Sequence, residues 1–474
     1  MFGETTAQMS ERSEQTSFLR SPSTSCATVL RCLCVFGLLL PSEWLPWIYS
    51  RAVQSTLIDD IFTLGHVLEA LAIRQLVPPH SFASTYEGHT IHLPPLLLAL
   101  FQPVSRLSES QQHTTVGLCL IVVDLLIAWT LERLGKFVVQ QRKTEWEDKL
   151  QEQVPEAIQP KLSHIFEVTK ESNAVVNSAT IPLLMAQLYY WSPITLLTSN
   201  VFVCYQNIPV LFSLIGLINA SQGSLIWGAL SLVLASYINV HHALFVVPSV
   251  ILIRERRKSV VVFLISFLSL ASAMQALSLY LVGTSEFLLI AYASHIWTFQ
   301  FQGIEPSLST LWYFGMEMFD RFSMYFTVLM GGAPYLLVIP LWIRLYRYPE
   351  AMIALFWLLG TVFRPPATLY SLNVAFCLLL LSSKSLARLR VIPSLIAVSS
   401  FSIPVALYVV NTWLWLDTGS GEANFMFFQC LVYNAFVAII FVQFVAACLR
   451  RDKALRLTEK LSYMGDVPEK SKQN

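Results

Sequence analysis

Charged side chains are scarce in this sequence. They account for 13% of the 474 residues, whereas an ordinary soluble domain carries about 25%. The hydrophobic fraction is high in turn, at 55%. Because so few charges leave most helices without a water-facing side, we predict an integral membrane protein. The net charge of +1 argues against a nucleic-acid partner, which would need a strongly basic surface.

The signatures of soluble enzymes are also missing. The sequence has no phosphate-binding loop, no serine triad and no Gly-rich dinucleotide fingerprint. Its 8 cysteines form no C-x-x-C pair, and none lies near a histidine at zinc spacing. We interpret them as free thiols. None of these patterns therefore predicts a metal site or a cofactor.

Two pairs of histidines come nearest to a metal motif. One pair is His241 and His242, and the other is His89 and His92. Neither pair has a carboxylate or cysteine partner nearby in the sequence. We interpret both pairs as hydrogen-bonded histidines at a membrane interface.

Long apolar runs are what the sequence has in abundance. A helix needs about 20 apolar residues to cross a bilayer, and short loops rich in Lys and Arg stay in the cytosol. Placing every basic segment in the cytosol requires an even number of spans between each pair. Together these rules predict an all-α, polytopic transmembrane bundle of about 12 spans, with both termini cytosolic. The runs lie near 27–46, 114–132, 176–195, 199–219, 223–237, 239–253, 259–283, 322–343, 351–363, 366–382, 391–412 and 425–449.

Polar stretches divide the chain into three parts. Residues 1–25 are rich in Ser and Thr, which predicts a disordered cytosolic tail. Residues 26–450 are the membrane domain, and residues 451–474 are a cytosolic C-terminal tail. Within the membrane domain we expect lumenal loops at about 47–112, 284–312 and 413–424, and a cytosolic loop at about 133–173.

One apolar segment, residues 93–104, is too short for a span. If it crossed the bilayer, the basic loop at 133–173 would face the lumen. We therefore expect this segment to be re-entrant or to lie in the lumenal interface.

Ionisable residues inside apolar spans are candidates for function, because burying a charge in hydrocarbon is costly. Asp124 is either hydrogen-bonded to a neighbouring helix or lines a cavity for a lipid headgroup. Glu317, Asp320 and Arg321 follow a run of aromatic residues. On one helix, Glu317 and Asp320 would share a face, and Arg321 would be four residues from Glu317. This group is either an ion-pair network or a site for a hydroxyl-rich or cationic headgroup.

Paired acids stand in the first predicted lumenal loop, at Asp59 and Asp60. Lipid-linked glycosyltransferases of the C type carry paired acids in this loop, as base or metal-binding groups. An Asp pair is also common in loops and can cap a following helix. Both interpretations stay open at this point.

Several motifs give the chain a family resemblance. The segment LWYFGMEMFDRFS at 311–323 is the most specific of them. Residues 234–248, running into the basic turn at 254–258, and the SPIT segment at 192–195 also match, although the family usually has NPYT at the latter. On these residues the chain resembles the PIG-U family, the class U subunit of the glycosylphosphatidylinositol (GPI) transamidase.

The last predicted lumenal loop carries a fourth match, GSGEANF at 419–425. The family has Gly-Ser, then two asparagines one residue apart, then Phe, and those asparagines are implicated in holding the GPI lipid. Asn424 keeps the second asparagine, and Glu422 replaces the first. The resemblance thus implies a GPI-binding site that includes Ser420, Glu422 and Asn424, and we add Glu317, Asp320, Arg321 and Asp124 as candidates.

The resemblance also implies a function. The transamidase joins a preassembled GPI to the new C-terminus of a precursor protein in the endoplasmic reticulum. Its catalytic cysteine lies on a different, caspase-like subunit. The class U subunit is expected to be non-catalytic, to have a membrane fold like that of C-type mannosyltransferases, and to bind and present GPI alongside the other subunits.

An enzyme is the alternative. A mannosyltransferase of the GPI pathway that uses dolichyl phosphate mannose would need Asp59 and Asp60 as a working site. We expect a transporter or channel to show polar pore-lining spans or inverted repeats, and the sequence has neither.

Overall fold

The computed structural model describes residues 17–36, 94–138, 181–282, 308–317, 319–363, 368–386, 388–389, 396 and 398–465. Within these ranges the regular structure is entirely helical, as the composition predicts. The helices are α1 (Pro22–Val35), α2 (Pro95–Phe101), α3 (Glu109–Lys136), α4 (Ile181–Tyr190), α5 (Pro193–Leu196), α6 (Asn207–Gln222), α7 (Leu225–Ile238), α8 (Val246–Glu255), α9 (Val260–Val282), α10 (Leu311–Glu317), α11 (Asp320–Leu345), α12 (Pro349–Phe363), α13 (Leu369–Leu379), α14 (Ser383–Leu386), α15 (Ser402–Thr412) and α16 (Ala423–Gly465).

Local sequence signals determine where several helices begin. Pro22 and Pro95 are the first residues of α1 and α2, where the missing N–H of proline costs nothing. The N–H of Ser108, the residue before α3, donates to the side chain of Gln111 at 3.2 Å, which is half of a capping box. The hydroxyl of Thr368 accepts from the N–H of Ser371 at the start of α13.

Five stretches in the described part of the chain are long and apolar enough to cross a membrane. They are Gln111–Lys136, Val260–Leu281, Leu369–Leu386, Val398–Trp415 and Ala423–Leu457. Four further apolar helices are shorter, namely Asn207–Gln222, Leu225–Ile238, Gly332–Leu345 and Pro349–Val362. The chain is thus a multi-pass membrane protein, and its helix lengths do not confirm the predicted count of about 12 spans.

Some predicted spans are broken in the structure. A 3-10 helix at Val240–Phe245 precedes α8, and the ten residues of α8 rise only about 15 Å. Likewise, a π-helical turn at Leu197–Val201 follows the single turn of α5. Short elements of this kind cross only part of a bilayer by themselves, so they depend on packing against longer neighbours.

Helix α12 lies at the centre of the described bundle. Residues 350–359 are all buried, and α12 packs against α8, α11, α13 and α16. Helix α9 lies at the periphery, with few of its side chains buried. The core around α12 is therefore mainly apolar, and α9 presents apolar side chains on the outside of the bundle.

Helices run across both predicted tail boundaries. Phe18 is buried and its N–H donates to Glu132 at 3.2 Å, so the part of the predicted tail from 17 to 25 is folded against α3. Its aromatic ring packs edge-on against Tyr190, which explains the order. At the other end, α16 continues through residue 450 to Gly465 without a break.

The short apolar segment at 93–104 forms α2 and a 3-10 helix at Gln102–Arg106. Seven helical residues rise about 10 Å, which is too little to cross a bilayer. The segment instead packs against α9, and the N–H of Leu96 donates to the hydroxyl of Tyr237 at 3.3 Å. Most of the predicted loops at 47–112, 133–173 and 284–312 lies outside the described residues.

Candidate functional site

The loop between α15 and α16 folds back onto the end of α15. A π-helical turn at Trp413–Asp417 extends α15, and the loop then returns to the carbonyl of Leu414. That oxygen accepts from the hydroxyl of Thr418 at 2.7 Å and from the N–H groups of Ser420 and Gly421, each at 3.0 Å. The loop therefore has a defined shape although its side chains are exposed.

Two glycines make this fold of the loop possible. Gly419 has φ +64, a left-handed conformation that is costly for other residues. At Gly421, a Cβ atom would lie 2.9 Å from the backbone nitrogen of Trp415. Because that neighbour is backbone, it cannot move aside as a side chain could. The Gly-x-Gly spacing is thus required by the geometry of the loop.

Asn424, the second residue of α16, joins the loop to α10. The hydroxyl of Tyr313 donates a hydrogen bond to Oδ1 of Asn424. Asn424 and Glu422 are both exposed, as is Ser420. We call Ser420, Glu422, Asn424 and Tyr313 the rim cluster, because they lie together at one end of the helix bundle.

Aromatic rings pack against the rim cluster on the side of the helix bundle. The ring of Tyr313 stacks on Phe427 with centroids 4.2 Å apart, and Phe314 meets the same ring edge-on at 5.6 Å. Trp312 is buried and stacks on Trp415 at 6.4 Å. These contacts join α10, the end of α15 and the start of α16 into one aromatic layer.

The predicted helix face shared by Glu317 and Asp320 is wrong. Helix α10 ends at Glu317 and α11 begins at Asp320, with Phe319 in an extended conformation between them. An acidic residue as the first residue of a helix interacts favourably with the helix dipole, which favours a new start at Asp320. Glu317 and Arg321 are both exposed and lie on the two helices on either side of the break.

Asp124 lies in the bundle interior and not at an open surface. Its Oδ2 is 2.5 Å from Nη1 of Arg31. Its Oδ1 accepts from the hydroxyl of Tyr189 at 2.8 Å and from Nδ2 of Asn207 at 3.0 Å. Of the two interpretations of Asp124, these contacts match the one in which it bonds to neighbouring helices.

Sequence reasoning missed Arg31, the partner of Asp124. It lies in the apolar run of α1 and is 1% exposed. Its guanidinium donates to Asn200 at 2.9 Å, to the carbonyl of Tyr190 at 2.8 Å and to Thr195 at 2.9 Å. The sequence did contain a signal for it, namely a single arginine within an apolar run, because such a charge needs a partner in the membrane.

Of the paired histidines, the structure describes His241 and His242, and His242 has a side-chain hydrogen bond of the predicted kind. Nδ1 of His242 is 2.6 Å from the hydroxyl of Ser213, and the imidazole lies edge-on to Trp357. A narrow cavity of about 30 Å³ beside His241 and His242 has room for roughly one water molecule. His89, His92, Asp59 and Asp60 lie outside the described residues.

The cysteines are free thiols, as predicted. All eight are described, and none forms a disulfide. In the described part of the chain, no group of three or more His, Cys, Asp or Glu side chains could hold a metal ion.

Comparison with known proteins gives a consistent set of similarities. The sequence model of the family described as GPI transamidase subunit PIG-U matches residues 26–433. The GPI transamidase component GAB1 of Saccharomyces cerevisiae is 25% identical over 291 residues, which cover 60% of this chain and 71% of that protein. The GPI-anchor transamidase component PIGU of Homo sapiens is 22% identical over 417 residues, covering 83% of this chain and 87% of its relative.

Proposed function

The chain belongs to the PIG-U family of GPI transamidase subunits, and on that premise we propose that it binds the GPI lipid and presents it for attachment to precursor proteins. The rim cluster would hold the glycan. The observation that best supports this proposal is the hydrogen bond between Tyr313 and Asn424. It joins the two segments that carry the strongest sequence resemblance to the family.

The chemistry of the rim cluster suits a phosphorylated glycan. The exposed side chains of Ser420, Glu422 and Asn424 can exchange hydrogen bonds with sugar hydroxyls. The carboxylate of Glu422 can also pair with the amine of glucosamine or ethanolamine. In addition, Asn424 lies in the first turn of α16, and the N-terminus of a helix favours a phosphate.

A second group of residues extends the proposed site. Glu317 and Arg321 are exposed on either side of the break between α10 and α11, and Asp320 starts α11. The same α10 helix carries Tyr313, so this break lies close to the rim cluster along the chain. We assign Glu317, Asp320 and Arg321 to outer contacts with the headgroup. Asp124, which is enclosed by protein donors, would support the site through the bundle rather than touch the lipid.

The acyl chains of GPI need an apolar surface below the glycan. Phe425, Phe428 and Leu431 on α16 are exposed by 59%, 58% and 48% of their surface. They descend from Asn424 into the membrane-spanning part of the helix. We propose that the lipid chains pack along this stretch of α16, where burial of both surfaces against each other is favourable.

The proposal includes the place and the partners of the protein. It would act in the endoplasmic reticulum membrane with both termini in the cytosol, as one non-catalytic member of the transamidase. A caspase-like subunit would supply the catalytic cysteine. The mannosyltransferase alternative would assign the chemistry to Asp59 and Asp60, in the first predicted lumenal loop.

Substitution of Asn424 by leucine tests the proposal. In cells that depend on this chain, Asn424→Leu should strongly reduce GPI-anchored proteins at the surface while leaving protein level and complex assembly unchanged. Gln429→Leu, which removes an amide from the same helix outside the loop, should leave anchoring intact. Normal anchoring in Asn424→Leu cells would show that the rim cluster is not part of the GPI-binding site.

The lipid that accumulates separates the two functions. A failed attachment step leaves complete GPI unused, so mass spectrometry should find the full glycan in Asn424→Leu cells. A failed mannosyl transfer would instead leave a glycan that lacks mannose residues. Accumulation of the truncated lipid would therefore favour the enzyme.

A further inference from the structure

Helices α11 and α16 meet at the end of the bundle far from the rim cluster. Arg344, near the end of α11, forms an ion pair with Asp452 of α16 at 3.1 Å. From Asn424 to Asp452 the continuous helix α16 rises about 42 Å, which exceeds the hydrocarbon thickness of about 30 Å. The residues around Asp452 therefore lie at the membrane face opposite the rim cluster.

The acidic residues of this end are turned toward the protein. Asp452 is fully buried, and its carboxylate contacts both Arg344 and Arg456, the latter at 2.9 Å. Glu459 pairs with Arg347 at 3.2 Å. These pairs neutralise the carboxylates of α16 and fix the end of the helix against the end of α11.

Three of the basic side chains at the same helix end reach the surface, whereas Arg451 is buried against Glu350. Lys453, Arg456 and Lys460 follow each other at spacings of three and four residues, so they share one face of α16. We call them the basic stripe. Lys453 and Lys460 are exposed, and no ion pair joins either to an acid in the described part of the chain. The guanidinium of Arg456 forms an ion pair with Asp452, but the side chain of Arg456 is still 43% exposed.

The surroundings of the basic stripe place it at the level of lipid headgroups. Trp342 and Tyr346, at the end of α11, are exposed by 46% and 47% of their surface, and exposed Trp and Tyr are enriched at membrane interfaces. Leu457, beside the stripe on α16, is 42% exposed. Arg344 contacts the same carboxylate oxygen as Arg456 and is itself 46% exposed. Arg344 and Arg456 thus meet at Asp452, and Lys453, Leu457 and Lys460 lie on the same helix beside them.

We infer that the basic stripe, together with Arg344, binds the headgroup of an acidic glycerophospholipid in the leaflet opposite the rim cluster. Arginine forks and lysine ammonium groups both bind phosphate oxygens, and basic pockets between membrane helices are known to hold anionic headgroups. An acidic lipid fits better than a soluble polyanion, because Trp342, Tyr346 and Leu457 offer an apolar border for its acyl chains. This inference does not depend on GPI binding at the other end.

The test uses the full-length protein, purified in detergent and stripped of lipid. Phosphatidylinositol or phosphatidylcholine is added back, and native mass spectrometry measures the lipid retained. The wild type should retain phosphatidylinositol in preference. Lys453→Gln/Lys460→Gln should weaken that retention by roughly tenfold or more, from the contribution expected of two basic residues at an anionic surface. Retention of phosphatidylcholine should not change.

The control removes the same charge elsewhere. Arg254 and Lys258 are exposed in the basic turn between α8 and α9, and Arg254→Gln/Lys258→Gln should leave phosphatidylinositol binding intact. An equal loss in both variants would overturn the inference, because it would show a general charge effect. The inference would also be overturned if the wild type retained phosphatidylinositol and phosphatidylcholine equally, whatever the variants show. Lys453→Arg/Lys460→Arg, which keeps the charge, should bind as the wild type does.

Discussion

Arg31 and Asp124 form an ion pair in the interior of the helix bundle, with Nη1 and Oδ2 separated by 2.5 Å. The pair joins α1 to α3, and hydrogen bonds from Tyr189 and Asn207 distribute the charge of Asp124. Removing two charges from water is costly, and a buried pair offsets that cost only when its geometry and its further hydrogen bonds are good.

Substitution of Arg31 by leucine should destabilise the protein. It leaves the carboxylate of Asp124 buried without its counter-charge, a change that costs about 3–5 kcal/mol in comparable buried pairs. We expect a lower melting temperature in detergent and less protein in the membrane. The double variant Arg31→Leu/Asp124→Leu should recover most of the loss, because no charge then remains buried. If Arg31→Leu alone were as stable as the wild type, the ion pair would not be needed for the stability of the protein.

Removal of the Tyr313 hydroxyl should affect anchoring more than stability. Tyr313→Phe deletes the hydrogen bond to Asn424 but keeps the ring stacked on Phe427. A single hydrogen bond contributes about 1 kcal/mol, so the melting temperature should change little. Surface GPI-anchored protein should fall, because Asn424 loses its fixed orientation. Tyr313→Ala, which also removes the stacked ring, should lower both quantities, and full anchoring with Tyr313→Phe would argue against an oriented Asn424.

Alanine at Gly421 should disturb the loop. The new Cβ would lie 2.9 Å from the backbone of Trp415, so the loop must shift and carry Glu422 and Asn424 with it. We expect reduced surface anchoring with normal complex assembly. Gly332→Ala is the matched control, because a Cβ there meets nothing within 4 Å and alanine favours a helix over glycine. Equal anchoring in both variants would mean that the loop tolerates the shift.

Neutralisation of the paired acids in the first predicted lumenal loop should have little effect. Asp59→Asn and Asp60→Asn remove the only paired acids that a C-type glycosyltransferase reaction could use there. For a non-catalytic subunit we expect near-normal anchoring, measured as surface GPI-anchored protein by flow cytometry. Total loss of function, together with an accumulated lipid that lacks mannose, would restore the mannosyltransferase interpretation.

Hydropathy was sufficient to predict the helical class and the main spans. The runs near 114–132, 259–283 and 425–449 correspond to α3, α9 and α16, because long apolar runs in a bilayer must satisfy their backbone internally. The number of spans was less predictable. Interruptions such as the 3-10 helix at Val240–Phe245 arise from packing between helices, which periodicity does not report.

The candidate site was predictable in its parts but not in its contacts. The loop from Gly419 to Phe425 was identified from its motif, whereas its partner Tyr313 is 111 residues away and is brought near only by the packing of α10 against α16. The break between Glu317 and Asp320 was missed because neither Met nor Phe at 318–319 is a helix breaker. Arg31 and Asp124, which are 93 residues apart, show the same dependence on tertiary structure.

The uninterrupted length of α16 has a mechanical consequence. Its 43 residues contain no proline and span about 65 Å, so a tilt of the whole helix would move Asn424 near one end and Lys460 near the other in opposite directions. A tilt of about 10° around the midpoint displaces each end by roughly 5 Å in opposite directions, given that length. The contacts that hold the helix end at Lys460 therefore also affect the position of Asn424, on the other side of the bilayer.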